Sequence, residues 1–320
     1  MPRSLTIAVI CGGPSSEHGV SLKTAKMVLG HLDRTRYAAI LVTIGKDGAW
    51  KFGSAKPVGI GAALTRLASF DFAFIAMHGV FGEDGRMQAL LEWVGIPYSG
   101  SGVTSSAMAM DKGIANGIYR AAGMRVPRYG VFERDSREEG YRRALPAVVK
   151  PINGGSSVGV SIARTRGELR KGIDRVLRNS TRVMVQRFVK GREFTCGVLE
   201  DGKGTAFALP PTEIVPRASA FFDYRAKYAA GGSEEITPAV LPRAMTKTMQ
   251  AMALTAHHAL GCRGMSRSDF ILRGRTFFIL ETNTIPGMTE TSLLPQAARA
   301  AGIDFSAMLD LIIAAGMRRR

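Results

Sequence analysis

Cysteine is scarce in this chain: three residues in 320, at positions 11, 196 and 262. They are odd in number, far apart and include no C-x-x-C pair. That argues against a disulfide framework and a zinc site, and buried thiols in a reducing compartment are the expectation. Long hydrophobic runs are missing too, so no segment reads as a bilayer span and no membrane partner is expected. The apolar opening Leu5 to Cys11 runs straight into Gly12-Gly13-Pro14 with no small-residue cleavage pattern. It reads as a buried first strand rather than a signal peptide, and a cytoplasmic location follows.

Acidic residues are in deficit, 26 against 43 basic, for a net charge of +17. Such an excess makes nucleic acid a candidate partner. Much of it sits in residues 101–200, with 19 Lys/Arg against 9 Asp/Glu. There Lys171, Arg175, Arg178 and Arg182 recur at helical spacing and predict one basic helix face. Aromatic residues make up only 8% of the chain and none is interleaved with that stripe for base stacking. A solvated face is therefore expected, with no nucleic-acid partner. Arg318 to Arg320 reads as a frayed end. Two nucleotide signatures are absent as well: no Gly-Lys-Ser/Thr follows the glycine-rich loop described below, and no G-x-G-x-x-G follows the first strand.

What remains is an ordinary globular balance, 46% hydrophobic, long enough for two or three domains. Residues 4–11, 37–45 and 71–77 read as strands, with helices at 18–31 and 88–95. That alternation predicts a parallel sheet covered on both faces, ending near residue 100. From 101 come a helix, a strand at 147–150, a Gly/Ser loop, a strand at 159–163, the basic helix and a strand at 183–188. After 191 the pattern predicts a strand at 193–199, an irregular stretch at 210–235 and a helix at 239–260. A hairpin at 265–283 and a last helix at about 304–316 complete it. No internal repeat or low-complexity linker occurs.

Four constellations bear on chemistry. Arg267 and Asp269 lie two apart in one strand, Glu281 and Asn283 two apart in the next, so each pair shares a face. A three-residue loop Arg273-Gly274-Arg275 would bring all four to one face. Two carboxylates and an amide oxygen there are hard ligands for Mg²⁺ shared with phosphates. Apolar neighbours such as Phe270 and Ile279 speak against a merely exposed polar face. Lys150 and the loop from Pro151 to Gly159 offer backbone N–H groups, hydroxyls and a cation to phosphate oxygens, although a flexible connection would read the same way. Gln186, Arg187, Phe188 and Val189 could present a strand edge and an apolar surface to adenine, with Glu193 for ribose hydroxyls. Ser15-Ser16-Glu17-His18 and the segment His78 to Gly85 follow strands of the first sheet, where α/β folds bind ligands. A helix cap and a glycine-rich turn are the plainer readings of those two.

Taken in order, these segments resemble the D-alanine–D-alanine ligases of the ATP-grasp superfamily. The resemblance covers nearly the whole chain. It also includes Ile96 to Val103, Ala109-Met110-Asp111-Lys112, Asp223 to Tyr228, Glu281 to Thr289 and Ser292 to Pro295. It implies an α/β fold, α+β in its C-terminal part, with three domains at 1–100, 101–190 and 191–320 and ATP held between the central and C-terminal ones. It implies ligation of two D-alanines through an acylphosphate, for peptidoglycan, by a homodimer using two Mg²⁺ or Mn²⁺ ions.

By the same resemblance, Lys112, Lys150, Gly155, Ser156 and Ser157 meet the phosphates. Gln186, Arg187, Phe188, Val189 and Glu193 meet the adenosine, and Asp269, Glu281 and Asn283 hold the metals. Arg267 and the Gly287 N–H stabilise the oxyanion. Glu17 holds the first ammonium and forms a set with Ser156 and Tyr228. Lys227 and Ser292 take the second carboxylate, with His78 and Leu293 also at the substrates. Tyrosine at 228, where depsipeptide-forming relatives typically present histidine, favours the dipeptide. Gln186, Gly154 and Gly19 stand where acidic residues are common in the family. They leave open a paralogue with another amino-acid pair or acceptor, while a non-catalytic nucleotide or nucleic-acid binder would require losses among the metal or oxyanion residues.

Overall fold

The structure is a computed structural model and describes residues 4–155, 158–216 and 232–318. Ser156, Ser157, Lys227 and Tyr228 therefore lie outside the described residues, as does the whole Asp223–Tyr228 motif.

The first sheet contains β1 (Leu5–Gly12), β2 (Tyr37–Ile44), β3 (Trp50–Phe52) and β4 (Phe72–Ile75), in the order β3-β2-β1-β4. β1 is parallel to both neighbours, and its residues Ile7 to Cys11 are fully buried, as a continuous apolar run in a covered parallel sheet should be. β3 was not anticipated and pairs antiparallel at the edge. Three helices accompany this sheet: α1 (His18–His31), α2 (Ile60–Leu67) and α3 (Arg86–Trp93). The chain leaves β1 through Gly12 at φ +87°, where a Cβ would lie 2.2 Å from the Ile44 carbonyl oxygen. Only glycine permits that exit, which sends residues 13–17 over the carboxyl ends of the strands.

The predicted single helix after residue 101 is two, α4 (Val103–Met110) and α5 (Lys112–Ala121). Asp111 divides them, because its carboxylate accepts from the Gly113 and Ile114 N–H groups and so caps α5. There follow β5 (Tyr129–Glu133), α6 (Arg137–Tyr141), β6 (Ala147–Pro151), β7 (Ser161–Ala163), α7 (Arg166–Asn179) and β8 (Arg182–Arg187). These strands form an antiparallel sheet in the order β5-β8-β6-β7. α7 begins in a reciprocal Thr165–Glu168 capping box and buries Leu169, Ile173, Val176 and Leu177. Lys171, Arg175 and Arg178 are exposed on it. Arg182 is a correction: the helix ends at Asn179, and Arg182 opens β8 with its guanidinium 2.6 Å from the Asp111 carboxylate.

The third sheet runs β12-β11-β9-β13-β14, with β10 also on β9. Its strands are β9 (Arg192–Glu200), β10 (Ala206–Ala208), β11 (Thr212–Pro216), β12 (Ser233–Ile236), β13 (Met265–Arg273) and β14 (Thr276–Asn283). The helices are α8 (Arg243–Ala259), α9 (Leu293–Ala300) and α10 (Phe305–Met317). β11 and β12 correct the expectation of an irregular 210–235 segment. Among the described residues no single helix is long and apolar enough to cross a membrane.

The hairpin β13–β14 also differs from expectation in its turn. Arg273 pairs with Thr276, so the loop is the two residues Gly274-Arg275, with Gly274 at φ +61°. An even loop alone would put Asp269 and Glu281 on opposite faces. A β-bulge between Asp269 and Phe270 inserts Leu280 unpaired on β14, and beyond it Asp269 faces Glu281 while Arg267 faces Asn283. The bulge restores the shared face that the predicted odd loop was meant to supply.

One apolar core joins the first sheet to Leu199, Met265 and Met288 and to α9 and α10. A second packs α8 on the third sheet, and a third lies between α7 and the second sheet. Cys11, Cys196 and Cys262 are free and buried, as the sequence implied. Burial pushes the Cys196 and Cys262 thiols up to about 12.

Candidate active site

Two clefts meet over the β13–β14 hairpin. The first is a slot with apolar walls, among them Val148, Ile162, Phe188 and Ile271. Polar groups share its lining: Lys112, Lys150, Gln186, Glu193, Asp269 and Glu281. A narrow apolar slot with a few convergent polar groups suits a flat heteroaromatic ring with a charged tail.

The charged end is built by three elements. Lys150, at the end of β6, is 6% exposed. Its burial lowers the ammonium pKa to about 8, opposed by Glu281 and assisted by Lys112. Lys112, the first residue of α5, donates to the Gly154 carbonyl at 2.6 Å and lies 3.8 Å from Glu281 Oε2. It thus ties the described part of the Gly/Ser loop to the hairpin. Asp111 fixes the start of α5 and, through Arg182, the start of β8.

The ring end rests on β8. Gln186 is buried, and its amide nitrogen has no hydrogen-bond partner among the described residues. A buried amide without a partner is costly, and one in a slot wall is open to a ligand. The Arg187 and Phe188 N–H groups are already taken, by the Arg128 and Pro146 carbonyls. The edge that residues 186–189 were expected to offer is correspondingly shorter, with the Gln186 amide added to it.

The second cleft, about 370 Å³, lies between the first sheet and the hairpin. Glu17, His78, Gly155, Arg267, Glu281, Asn283, Gly287, Ser292 and Leu293 all line it, so the structure gathers nine of the anticipated residues. Glu17 starts α1, and a Cβ on Gly79 would fall 2.5 Å from its Oε2. The missing side chain at 79 is what admits that carboxylate. The same oxygen lies 3.4 Å from the Cβ position of Gly155, next to Ser156 in the chain. His78 is buried. Its Nε2 is 2.8 Å from the Thr24 hydroxyl, and its Nδ1 is 3.6 Å from Glu83, which accepts from the Gly79 N–H. A Cβ on Gly287 would sit 2.8 Å from Ser292 Oγ, so a side chain there would displace that hydroxyl. Ser292 is the N-cap of α9, and its hydroxyl accepts from the Thr289 N–H at 2.9 Å.

Arg267 and Asp269 form a two-point ion pair at 3.1 and 3.2 Å. Burial opposes the Arg267 charge, but Asp269, Glu281 and Glu83 more than offset it and raise its pKa. Asp269 also accepts from the Thr195 hydroxyl at 2.7 Å. Thr195 carried no sequence signal, because only the β9–β13 register sets it opposite Asp269. Among the described residues no group of three His, Cys, Asp or Glu side chains forms a metal cluster. The expected donor set is two carboxylates and an amide, and it fits a hard cation. Asp269 faces Glu281 directly, and the Asn283 amide beside them has a buried nitrogen without a partner among the described residues. Turning that amide presents its oxygen.

Comparison with known proteins points to one family. Residues 6–65 and 55–101 match the family described as the D-ala D-ala ligase N-terminus, and residues 118–314 match the D-ala D-ala ligase C-terminus. A D-alanine–D-alanine ligase of Syntrophobacter fumaroxidans is 45% identical over 318 residues, covering 97% of this chain and 96% of that protein. Among solved structures, the Bacillus anthracis D-alanine–D-alanine ligase complexed with ATP is similar with a TM-score of 0.80 and 32% identity, covering 98% of both chains. The VanG D-Ala:D-Ser ligase of Enterococcus faecalis is similar at a TM-score of 0.86 and 31% identity, covering 97% of this chain and 99% of that one.

Proposed function

We propose, since the chain belongs to the D-alanine–D-alanine ligase family, that ATP lies in the slot over the hairpin and that two D-alanines meet in the wider cleft. The chain is an ATP-dependent ligase of the ATP-grasp fold, and its reaction joins two D-alanines into the dipeptide used in peptidoglycan synthesis. The observation that carries the site reading is the hairpin register. Asp269 opposite Glu281 and Arg267 opposite Asn283 sit where the two clefts meet, so one face serves both phosphate and acyl group.

A carboxylate resists attack by an amine because its oxygen leaves poorly. Transfer of the γ-phosphoryl group to the first D-alanine makes that oxygen a good leaving group. Lys112, Lys150, Gly155, Ser156 and Ser157 hold the phosphates, while Gln186, Arg187, Phe188, Val189 and Glu193 hold the adenosine. Mg²⁺ or Mn²⁺, two ions held by Asp269, Glu281 and Asn283, would neutralise charge on the transferring group. Glu17 binds the first ammonium, in a set with Ser156 and Tyr228, and His78 borders it. Lys227, Ser292 and Leu293 receive the second D-alanine, whose carboxylate is favoured by the N-terminal end of α9. The second amine attacks the acylphosphate, and Arg267 with the Gly287 N–H stabilises the oxyanion. The three-domain division at 1–100, 101–190 and 191–320, a cytoplasmic location and a homodimer belong to the same reading, with family membership as their support.

Two measurements test it. Phosphate release from ATP, assayed with a panel of D- and L-amino acids and D-lactate, should be sustained by D-alanine alone. Turnover with D-alanine and D-serine as the preferred pair would move the chain to the acceptor class named for the Enterococcus faecalis neighbour. Separately, kcat/KM for ATP should fall on the alkaline side with a midpoint near pH 8, as the Lys150 ammonium titrates in the free enzyme. Bound phosphate favours the charged form, so kcat should hold to higher pH. Lys150→Arg should remove the limb, and an unchanged limb would assign it elsewhere.

A further inference from the structure

The acceptor cleft is bordered by five glutamates: Glu17, Glu83, Glu235, Glu281 and Glu290. Glu17 and Glu281 have roles above, Glu83 orients His78, and Glu290 is exposed. Glu235 is half-buried and has no role yet. It stands on β12, one residue from the exposed Glu234, so strand alternation turns it inward. Pairing with Ile214 on β11 fixes its position. Its Oε2 accepts from Gln296 Nε2 at 2.6 Å, and Gln296 is on α9, one turn past Ser292 and Leu293. The carboxylate is thus held on a strand and braced by the helix that begins at the second substrate's pocket.

The chemistry leaves a task for such a group. An amino acid enters as its ammonium form, which has no lone pair for attack. Arg267 cannot take the proton, being cationic and buried, and Asp269 and Glu281 are committed to Arg267, Lys112 and the metals. We infer that Glu235 receives the ammonium of the second D-alanine and removes its first proton. The amine lone pair then bonds to the acyl carbon, the bond from that carbon to the phosphate oxygen breaks, and the departing phosphate takes the second proton. Burial pushes the Glu235 carboxyl up, against the pull of the Gln296 bond and the Arg267 charge, which makes it a better proton acceptor than an exposed carboxylate.

The inference rests on the ligase reading, and a neutral nucleophile separates the two. Hydroxylamine is largely unprotonated at neutral pH and traps an acylphosphate as a hydroxamate without needing a base. Glu235→Gln keeps an oxygen that can accept from Gln296, so the brace to α9 survives. It should lower kcat/KM for the second D-alanine by about 10²-fold, while hydroxamate formation from ATP, D-alanine and hydroxylamine stays within about twofold of wild type. Dipeptide synthesis at the wild-type rate in E235Q, with hydroxamate still formed, would remove Glu235 from the step and leave the ligase reading intact. An equal fall in both products would make Glu235 structural and overturn the inference.

Discussion

Arg267→Ala should lower kcat by about 10²-fold or more if the guanidinium is the oxyanion donor proposed above, the usual cost of removing one such donor from a preorganised site. The guanidinium lines the acceptor cleft beside Gly287, and the two-point contact with Asp269 fixes its orientation before any substrate arrives. Its pKa is raised further by the surrounding carboxylates, so it remains cationic across the working pH range and serves as a fixed charge rather than a proton carrier. Arg267→Lys keeps the charge but loses the planar fork that grips Asp269, and should recover only part of the rate. Steady-state rates at saturating ATP and D-alanine decide the matter. Wild-type kcat in the alanine variant would take Arg267 out of the chemistry.

Glu281→Gln should cost a similar factor, about 10²-fold, with its signature in the metal dependence. Glu281 faces Asp269 across the hairpin and lies 3.8 Å from Lys112. The amide keeps the volume and removes the charge, so the free Mg²⁺ needed for half-maximal rate should rise steeply. Glu281 also supports the Lys150 ammonium, and its neutralisation should move the alkaline limb in kcat/KM for ATP below pH 8. Rate measured against free Mg²⁺ at several pH values reads both effects. An unchanged metal requirement would exclude Glu281 from the ligand set.

Some elements of the fold and of the candidate site were legible in the sequence, and others were not. β1 announces itself as an apolar run, α1 is bounded by Glu17 and Leu32, and the 265–283 hairpin is visible as two apolar stretches around a glycine. β12 carries too little apolar periodicity for that: Ser233-Glu234-Glu235-Ile236 becomes a strand only by pairing with β11. Glu235 was hidden for the same reason. Thr195 was hidden by register, since nothing in Glu193-Phe194-Thr195 signals that a hydroxyl will meet Asp269. Arg182 was assigned to the basic helix because helical spacing can continue past the point where a helix stops. Gln186 was expected among the adenosine contacts, and the structure adds that its amide nitrogen has no partner among the described residues. Such an imbalance depends on packing and is invisible to residue type.

The bulge at Leu280 makes the active site depend on arithmetic as well as on chemistry. Below it, Phe270, Ile271 and Leu280 form part of the wall of the slot proposed for ATP; above it, the same two strands present Arg267, Asp269, Glu281 and Asn283. One extra residue is the phase shift between those halves. The hairpin tip can therefore accept changes of side chain far more readily than a change of length. Loss or gain of a single residue between Arg273 and Glu281 would turn Glu281 and Asn283 away from Arg267 and Asp269 without altering any of the four, and the same letters would no longer spell a ligase.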